Sequence, residues 1–261
     1  MDTSDRDEDP NANEPPEEED DEEEKKQGRE ICFDGCGRPC SVCICSYLPP
    51  SPIPTSTHIL VLHHPHELRR NRLATLPALT RSLLHLHSLS GRRLHPSSSS
   101  LLTSPSSTPL LLFPCPNSIP LSLWASQNPP SARPNLNLIV LDGTWAQAKE
   151  MATASGPFLS SIGAIQVSLE VDEGVDGEST FESELVLKKE PFKGCVSTIE
   201  AVARALRILE PEEKVGVEVE ETLLRVLRAM VGFQKRHLKP IKPRPRLTKK
   251  GHLLLPSNSI V

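Results

Sequence analysis

The run Leu136-Asn137-Leu138-Ile139-Val140-Leu141 is almost unbroken in apolar side chains and stops at Asp142. A strand with one wet face would alternate apolar and polar residues. A continuous run is instead covered on both sides, as in a parallel sheet. Gly143 supplies a turn, and Thr144-Trp145-Ala146-Gln147 has the form of a capping box. A helix therefore begins at once. Ala146, Ala148, Met151, Ala152 and Ala154 suit that helix, and Gly156-Pro157 reads as its stop. This buried strand, tight turn and helix commit the chain to an α/β architecture.

Other segments agree. Thr57 to Leu62 reads as a buried strand ended by His63-His64-Pro65-His66-Glu67. Leu110 to Phe113 is a second, stopped by Pro114 and Pro116, and Ala164 to Val171 alternates like a third. Thr75 caps a helix with Pro77 in its first turn and Leu79, Leu83, Leu84 and Leu86 on its apolar face. Ser197-Thr198-Ile199-Glu200 is a second capping box, and Ile199, Val202, Ala203, Leu206 and Leu209 follow at helical spacing. A last helix runs roughly from Glu218 to Val231. Strands alternating with helices predict an α/β domain with a mainly parallel sheet. The low-complexity residues 96–108 read as a flexible surface insertion, and 172–180 as an acidic loop.

Charge divides the 261-residue chain. Its net charge of −5 combines −11 over residues 1–30 with +6 over the remainder. The first segment is acidic, nearly free of large apolar groups, and is expected to be a disordered tail. The expected organisation is a Cys-rich segment at 31–48, a catalytic domain at 55–233 and a basic tail at 234–261. The mildly basic remainder suits an anionic partner. With only 9 aromatic residues, a broad base-stacking sheet is excluded. No stretch approaches 18 uninterrupted apolar residues, so no membrane partner is expected. The absence of a basic-then-apolar leader points to the cytoplasm or nucleus. No obligate protein partner is evident.

Five groups of residues could carry chemistry. Cys32, Cys36, Cys40, Cys43 and Cys45 fall within 14 residues. Without a secretory signal, disulfides are disfavoured. Thiolates this close suit tetrahedral zinc, with free redox thiols or an iron–sulfur cluster as other readings. Asp142-Gly143-Thr144-Trp145 sits where ligands bind in open α/β sheets, outside the carboxyl ends of strands. A carboxylate there suits a cationic ligand or accepts a proton, and Trp145 offers a face for stacking. The plain alternative is that Asp142 caps a helix and Trp145 packs in the core. Ser197-Thr198-x-Glu200 is a cap at least. His64-Pro65-x-Glu67 reads as a turn; His63, His64 and His66 could bind metal, but Pro65 interrupts the helical spacing of a zinc helix. Residues 234–250 hold eight bases, no acid and three prolines, which suits an extended phosphate-contacting arm or a nuclear-import signal. Dinucleotide, phosphate-loop, G-x-S-x-G and H-E-x-x-H motifs are absent.

Taken together, these blocks resemble one family. Asp142-Gly143-Thr144-Trp145 is similar to the Asp-x-Thr-Trp signature of the DTW-domain family. Cys36-Gly37-Arg38-Pro39 with Val42-Cys43-Ile44-Cys45 resembles its amino-terminal motif. His64-Pro65-His66-Glu67, Thr75-Leu76-Pro77 and Leu111-Leu112-Phe113-Pro114 resemble later blocks. Lys188-Lys189-Glu190-Pro191 and Cys195-Val196-Ser197-Thr198-Ile199-Glu200-Ala201 resemble the closing ones. The likeness spans roughly residues 31–234, in order. The first cysteine spacing is one residue longer than is common, and Cys40 is extra.

The resemblance implies a tRNA-uridine aminocarboxypropyltransferase with a knotted, SPOUT-like α/β fold. Such enzymes move the 3-amino-3-carboxypropyl group of S-adenosylmethionine to ring nitrogen 3 of a tRNA uridine and release methylthioadenosine. Carried to this chain, it implies zinc at Cys32, Cys36, Cys43 and Cys45. It implies catalysis by Asp142, Thr144 and Trp145. The donor site would comprise Leu112, Pro114, Leu141, Gly143, Ser197, Thr198, Glu200 and Ala201. Two other expectations compete: a SPOUT-like RNA methyltransferase using the same donor, and a noncatalytic zinc-containing RNA-binding protein.

Overall fold

The computed structural model describes residues 30–33, 35–66, 75–170 and 196–237. Met1–Ser46 and Tyr47–Val261 form separate compact units. The acidic residues 1–29, the loop 172–180 and the blocks Lys188–Pro191 and Cys195 lie outside the described residues.

The larger unit is built on six strands: β1 (His58–His63), β2 (Leu86–Ser90), β3 (Thr108–Leu112), β4 (Ile119–Pro120), β5 (Leu136–Asp142) and β6 (Ile165–Ser168). Their order is β2-β1-β5-β3-β6-β4, and every pairing is parallel. The helices are α1 (Leu76–Ser82), α2 (Ser100–Thr103), α3 (Leu121–Gln127), α4 (Trp145–Ser161), α5 (Thr198–Leu209) and α6 (Glu213–His237). The expected α/β class and parallel sheet are both present. The path that would define a knot runs through 171–195, outside the described residues.

β5 is buried at all seven positions and has a parallel neighbour on each edge. Its apolar run is continuous because both faces are covered. By the alternation of strand side chains, one face presents Ile139 and Leu141 beside Leu60, Leu62 and Leu111, packed against Met151 and Leu159 of α4. The opposite face carries Leu138 and Val140 and is covered by α5, which packs closely on α6.

Helix α5 is pinned to the sheet at both ends. At its C-terminal end, Glu210 accepts hydrogen bonds from the backbone N–H groups of Ser56 (2.8 Å) and Thr57 (3.0 Å), just before β1. At its N-terminal end, Thr198 donates to Asp142 Oδ1 at 2.5 Å, at the end of β5. Twelve helical residues rise about 18 Å, close to the roughly 20 Å length of a six-residue strand. The helix therefore runs the length of the strands, from their amino ends to their carboxyl ends.

Several local expectations change. The helix after Thr75 stops at Ser82, and Thr75 makes no side-chain cap. Leu83 is its buried C-cap residue, Leu84 is exposed and Leu86 opens β2. Apolar spacing alone does not separate a helix from a helix followed by a strand. Gly156-Pro157 does not end α4, which continues to Ser161 with Pro157 inside it. Burial of Ser155 and Leu159 outweighs the proline's missing donor. The real stop is Gly163, whose φ of +68° suits glycine. Its N–H bonds Ser160 O and that of Ala164 bonds Leu159 O, closing a Schellman motif. The last helix extends to His237, so Lys235 and Arg236, expected in an extended arm, belong to α6. Residues 238–261 lie outside the described residues. The short β4 and α3 had no clear sequence signal.

The serine-rich insertion is also ordered where a flexible loop was expected. Ser99 caps α2 by accepting from the N–H of Leu101. Leu102 of that helix is 2% exposed and joins the α4-side core. Leu102→Ala should therefore destabilise the fold by about 2–5 kcal/mol. Urea unfolding of the variant checks this; a loss below about 0.5 kcal/mol is the result expected of a surface loop.

Candidate active site and cysteine cluster

The connection from β1 leads to β2 on one side of the sheet, whereas the connection from β5 leads to β6 on the other. The gap between the carboxyl ends of β1 and β5 is thus a topological switch point, the usual ligand crevice of an open parallel sheet. His63 and Asp142 are register partners across that gap. The N–H of His64 continues the ladder by donating to Asp142 O at 2.8 Å.

Asp142 is 9% exposed, so its side chain reaches the rim without standing free in solvent. Thr198 occupies Oδ1, and no described residue is hydrogen-bonded to Oδ2. The partner threonine is the first residue of α5, whose N-cap is Ser197. A helix N-terminus favours negative charge. On the next turn of chain, Thr144 caps α4 in a complete capping box with Gln147. Its N–H donates to Gln147 Oε1 at 2.7 Å, and its Oγ1 accepts from Gln147 N at 3.3 Å. The Thr144 hydroxyl oxygen therefore serves the cap as an acceptor. Two helix N-termini flank one carboxylate.

Trp145 is half-buried and packs on the core, with its ring 5.8 Å from that of Phe113 at 47°. Phe113 follows β3, so this pair covers the β3 side of the rim. Leu112, Pro114, Leu141 and Gly143 come from the ends of β3 and β5, which are adjacent strands. Ser197, Thr198, Glu200 and Ala201 come from the start of α5. The Ser197 half of the second capping box is present, with Oγ accepting from Glu200 N at 3.4 Å. The Glu200 carboxylate is fully buried and bound by Arg204 at 2.6 Å, which makes it a support for α5. His63, which the sequence offers only as a metal-ligand candidate, is 5% exposed beside Asp142, and its Nδ1 has no hydrogen-bond partner among the described residues. Only strand register could reveal that placement. Glu67 lies outside the described residues.

In the N-terminal unit, the sulfurs of Cys32, Cys36, Cys43 and Cys45 all lie within 4.8 Å of one another. Three of their separations are 3.6, 3.7 and 3.7 Å. Four sulfurs at about 2.3 Å from one tetrahedral zinc would be about 3.8 Å apart. A Cβ at Gly35 would overlap the sulfurs of Cys45 and Cys32, so only glycine leaves room for them there. Cys36 N donates to Cys45 Sγ and Ile44 N to Cys36 Sγ. Burial resists ionisation of Cys36, but the N–H groups of Ile44 and Arg38 outweigh it and hold its thiol down at about 7. Burial, then the sulfurs of Cys43 and Cys32, push Cys45 up to about 12. Four neighbouring sulfurs do not all ionise without a cation between them. Cys40, the surplus cysteine, is exposed and outside the quartet. Among the described residues, no histidine joins a group of three or more able to hold a metal. No described helix is long and apolar enough to cross a membrane.

Comparison with known proteins agrees with the site. The family model for the DTW domain matches residues 29–235. The chain is 47% identical to "tRNA-uridine aminocarboxypropyltransferase A" of Arabidopsis thaliana over 235 residues, covering 85% of this chain and 87% of that protein. It is 32% identical to "tRNA-uridine aminocarboxypropyltransferase 2" of Mus musculus over 208 residues, covering 77% of this chain and 63% of the mouse protein. The protein of the same name from Drosophila melanogaster is 32% identical over 205 residues, covering 76% and 73%. No solved structure matches. With its signature at the carboxyl end of the central strand, the chain belongs to the DTW-domain family.

Proposed function

We propose that the chain is a tRNA-uridine aminocarboxypropyltransferase that uses S-adenosylmethionine as donor and alkylates ring nitrogen 3 of a tRNA uridine. The observation that carries this reading is the Asp142 carboxylate, fixed at a switch point by Thr198. The names of the relatives support the reaction class.

The chemistry sets two demands. Three carbons surround the donor sulfur, and the γ-carbon of the amino-acid chain must face the nucleobase. That is an orientation problem, and orientation is a large source of rate enhancement. The uridine N3–H must also lose its proton. Nitrogen then bonds to the γ-carbon as the carbon–sulfur bond breaks. The sulfonium becomes the neutral thioether of methylthioadenosine, and the proton passes to a base.

The second oxygen of Asp142 is our choice for that base, with Thr198 as the group that positions it. The donor lies on the β3–β5 side, along Leu112–Pro114, Leu141–Trp145 and the start of α5. There the α4 and α5 N-termini meet its carboxylate, and Trp145 with Phe113 walls the pocket. The fit of the four thiols to tetrahedral zinc supports a closed structural site at Cys32, Cys36, Cys43 and Cys45. Such a metal would fold the N-terminal unit and take no part in transfer. Reduced thiols of this kind belong to a cytoplasmic or nuclear protein.

Incubation with tRNA and labelled donor, followed by nucleoside mass spectrometry, tests the reaction. An aminocarboxypropyl mass increment is expected. A methyl increment would make the chain a methyltransferase, and no increment with bound tRNA a noncatalytic binder.

Asp142→Asn should keep the circular dichroism spectrum and lower transfer by about 100-fold or more. Retained activity removes the base role. Thr198→Val should lower turnover less, with Thr198→Ser restoring it. Metal analysis of the purified protein should find one zinc per chain. Zinc should be lost in Cys36→Ser and in Cys43→Ser and kept in Cys40→Ser. Equal loss in all three variants would exclude the quartet.

A further inference from the structure

Beside the switch point, on the side away from α5, the loop after β2 forms an open cleft of about 550 Å³. It is lined by the apolar Leu62 and Leu89 together with Arg92, Arg93, His95, Ser97 and Ser98, and no carboxylate among the described residues belongs to the lining. We propose that this cleft binds a backbone phosphate of the tRNA, next to the nucleotide whose base enters the Asp142 site. The proposal rests on the transfer reading given above and names a part of its substrate site.

The loop is built rather than loose. Gly91 N donates to His63 O at 3.1 Å, which ties its start to the end of β1. Leu94 is 2% exposed, and its N–H donates to Ser155 Oγ of α4 at 2.9 Å. The two arginines are thus carried between two fixed points. Beyond them, His95 N bonds Ser98 Oγ and Ser98 N bonds His95 O. The Ser97 hydroxyl engages His95 Nδ1 at 2.8 Å, leaving Nε2 for a ligand.

The charges are available. Arg92 has one acidic neighbour, Glu150, at 3.9 Å, with both side chains more than half exposed. Such a pair contributes little and exchanges readily for a phosphate. Arg93 has no acidic partner among the described residues. A guanidinium pair with hydroxyls and an imidazole matches phosphate oxygens. The open shape admits a continuous chain, and the apolar part of the lining suits a ribose.

Position selects the partner. β1 and β2 are the two strands on this side of Asp142, so the rim of β2 stands about 10 Å from that of β5. That separation is within reach of the sugar–phosphate of one nucleotide or its neighbour. The donor elements lie on the opposite side of Asp142. Base and phosphate would therefore approach from the β1–β2 side while the donor occupies the β3–β5 side.

The test compares the wild type, Arg92→Ala with Arg93→Ala, and Arg92→Lys with Arg93→Lys. Each is measured for tRNA binding across a salt series and for steady-state transfer. Both arginines are exposed, so all three should melt alike. In the alanine pair the slope of log affinity against log salt should fall by about one, for the one phosphate no longer neutralised. The KM for tRNA should rise about tenfold or more. KM for the donor and kcat at saturating tRNA should stay unchanged. The lysine pair should recover the slope.

An unchanged slope in an active enzyme would overturn this assignment alone. A raised KM for the donor with an unchanged tRNA slope would make the cleft part of the donor site and overturn it too. A wild type that binds tRNA but transfers nothing would overturn the catalytic reading instead, and the slopes would still judge the cleft.

Discussion

Helix α5 is tied to opposite ends of the strands of one sheet, and the geometry of the site depends on that span. Glu210 holds its far end to the entry of β1, while Thr198 holds its near end to the exit of β5. Both bonds involve carboxylates that are at most 9% exposed. Hydrogen bonds to buried charged groups are among the costlier ones to break. The length of the helix matches the length of the strands, so neither bond is made at the expense of the other. The start of α5 is thereby delivered to the rim where Asp142 ends its strand.

That rim is divided by topology. β5 sits between β1 and β3, and its last residue is shared by two sides. Toward β3 stands an aromatic pair that forms an apolar wall, and two helix N-termini meet at Asp142 itself. Toward β1 and β2 stand His63 and a loop of arginines. The proposed transfer needs different surfaces for a zwitterionic donor and a polyanionic acceptor, and two such sides of one acid suit it. The cysteine unit is a separate construction. There a small loop with little core of its own brings four sulfurs within 4.8 Å, and glycine at 35 leaves them room. Small units of this kind depend on cross-links or metals for stability.

Much of this was legible before any coordinates. The full burial of β5 could be read from its unbroken apolar run, because only a two-sided cover removes the alternation. The Thr144 cap could be read from its spacing with Gln147, since a capping box involves only neighbours in sequence. What misled was equally local. Pro157 argues for a helix stop, and buried Ser155 and Leu159 overrule it. A serine run argues for a loop, and one buried leucine, Leu102, gives it a place in the core.

The sequence by itself determined the class of fold, the two caps and the candidate acid. Each of these follows from periodicity or from contacts a few residues apart. Tertiary structure alone decided which partners meet that acid. Thr198 lies 56 residues away, and His63 reaches it only through strand register. Tertiary structure also decided that Glu200 is buried beneath the sheet-packed face of α5 and that Arg92 and Arg93 line a cleft. These juxtapositions arise from strand order and helix docking, which depend on contacts distant in sequence and leave no periodic trace in the chain.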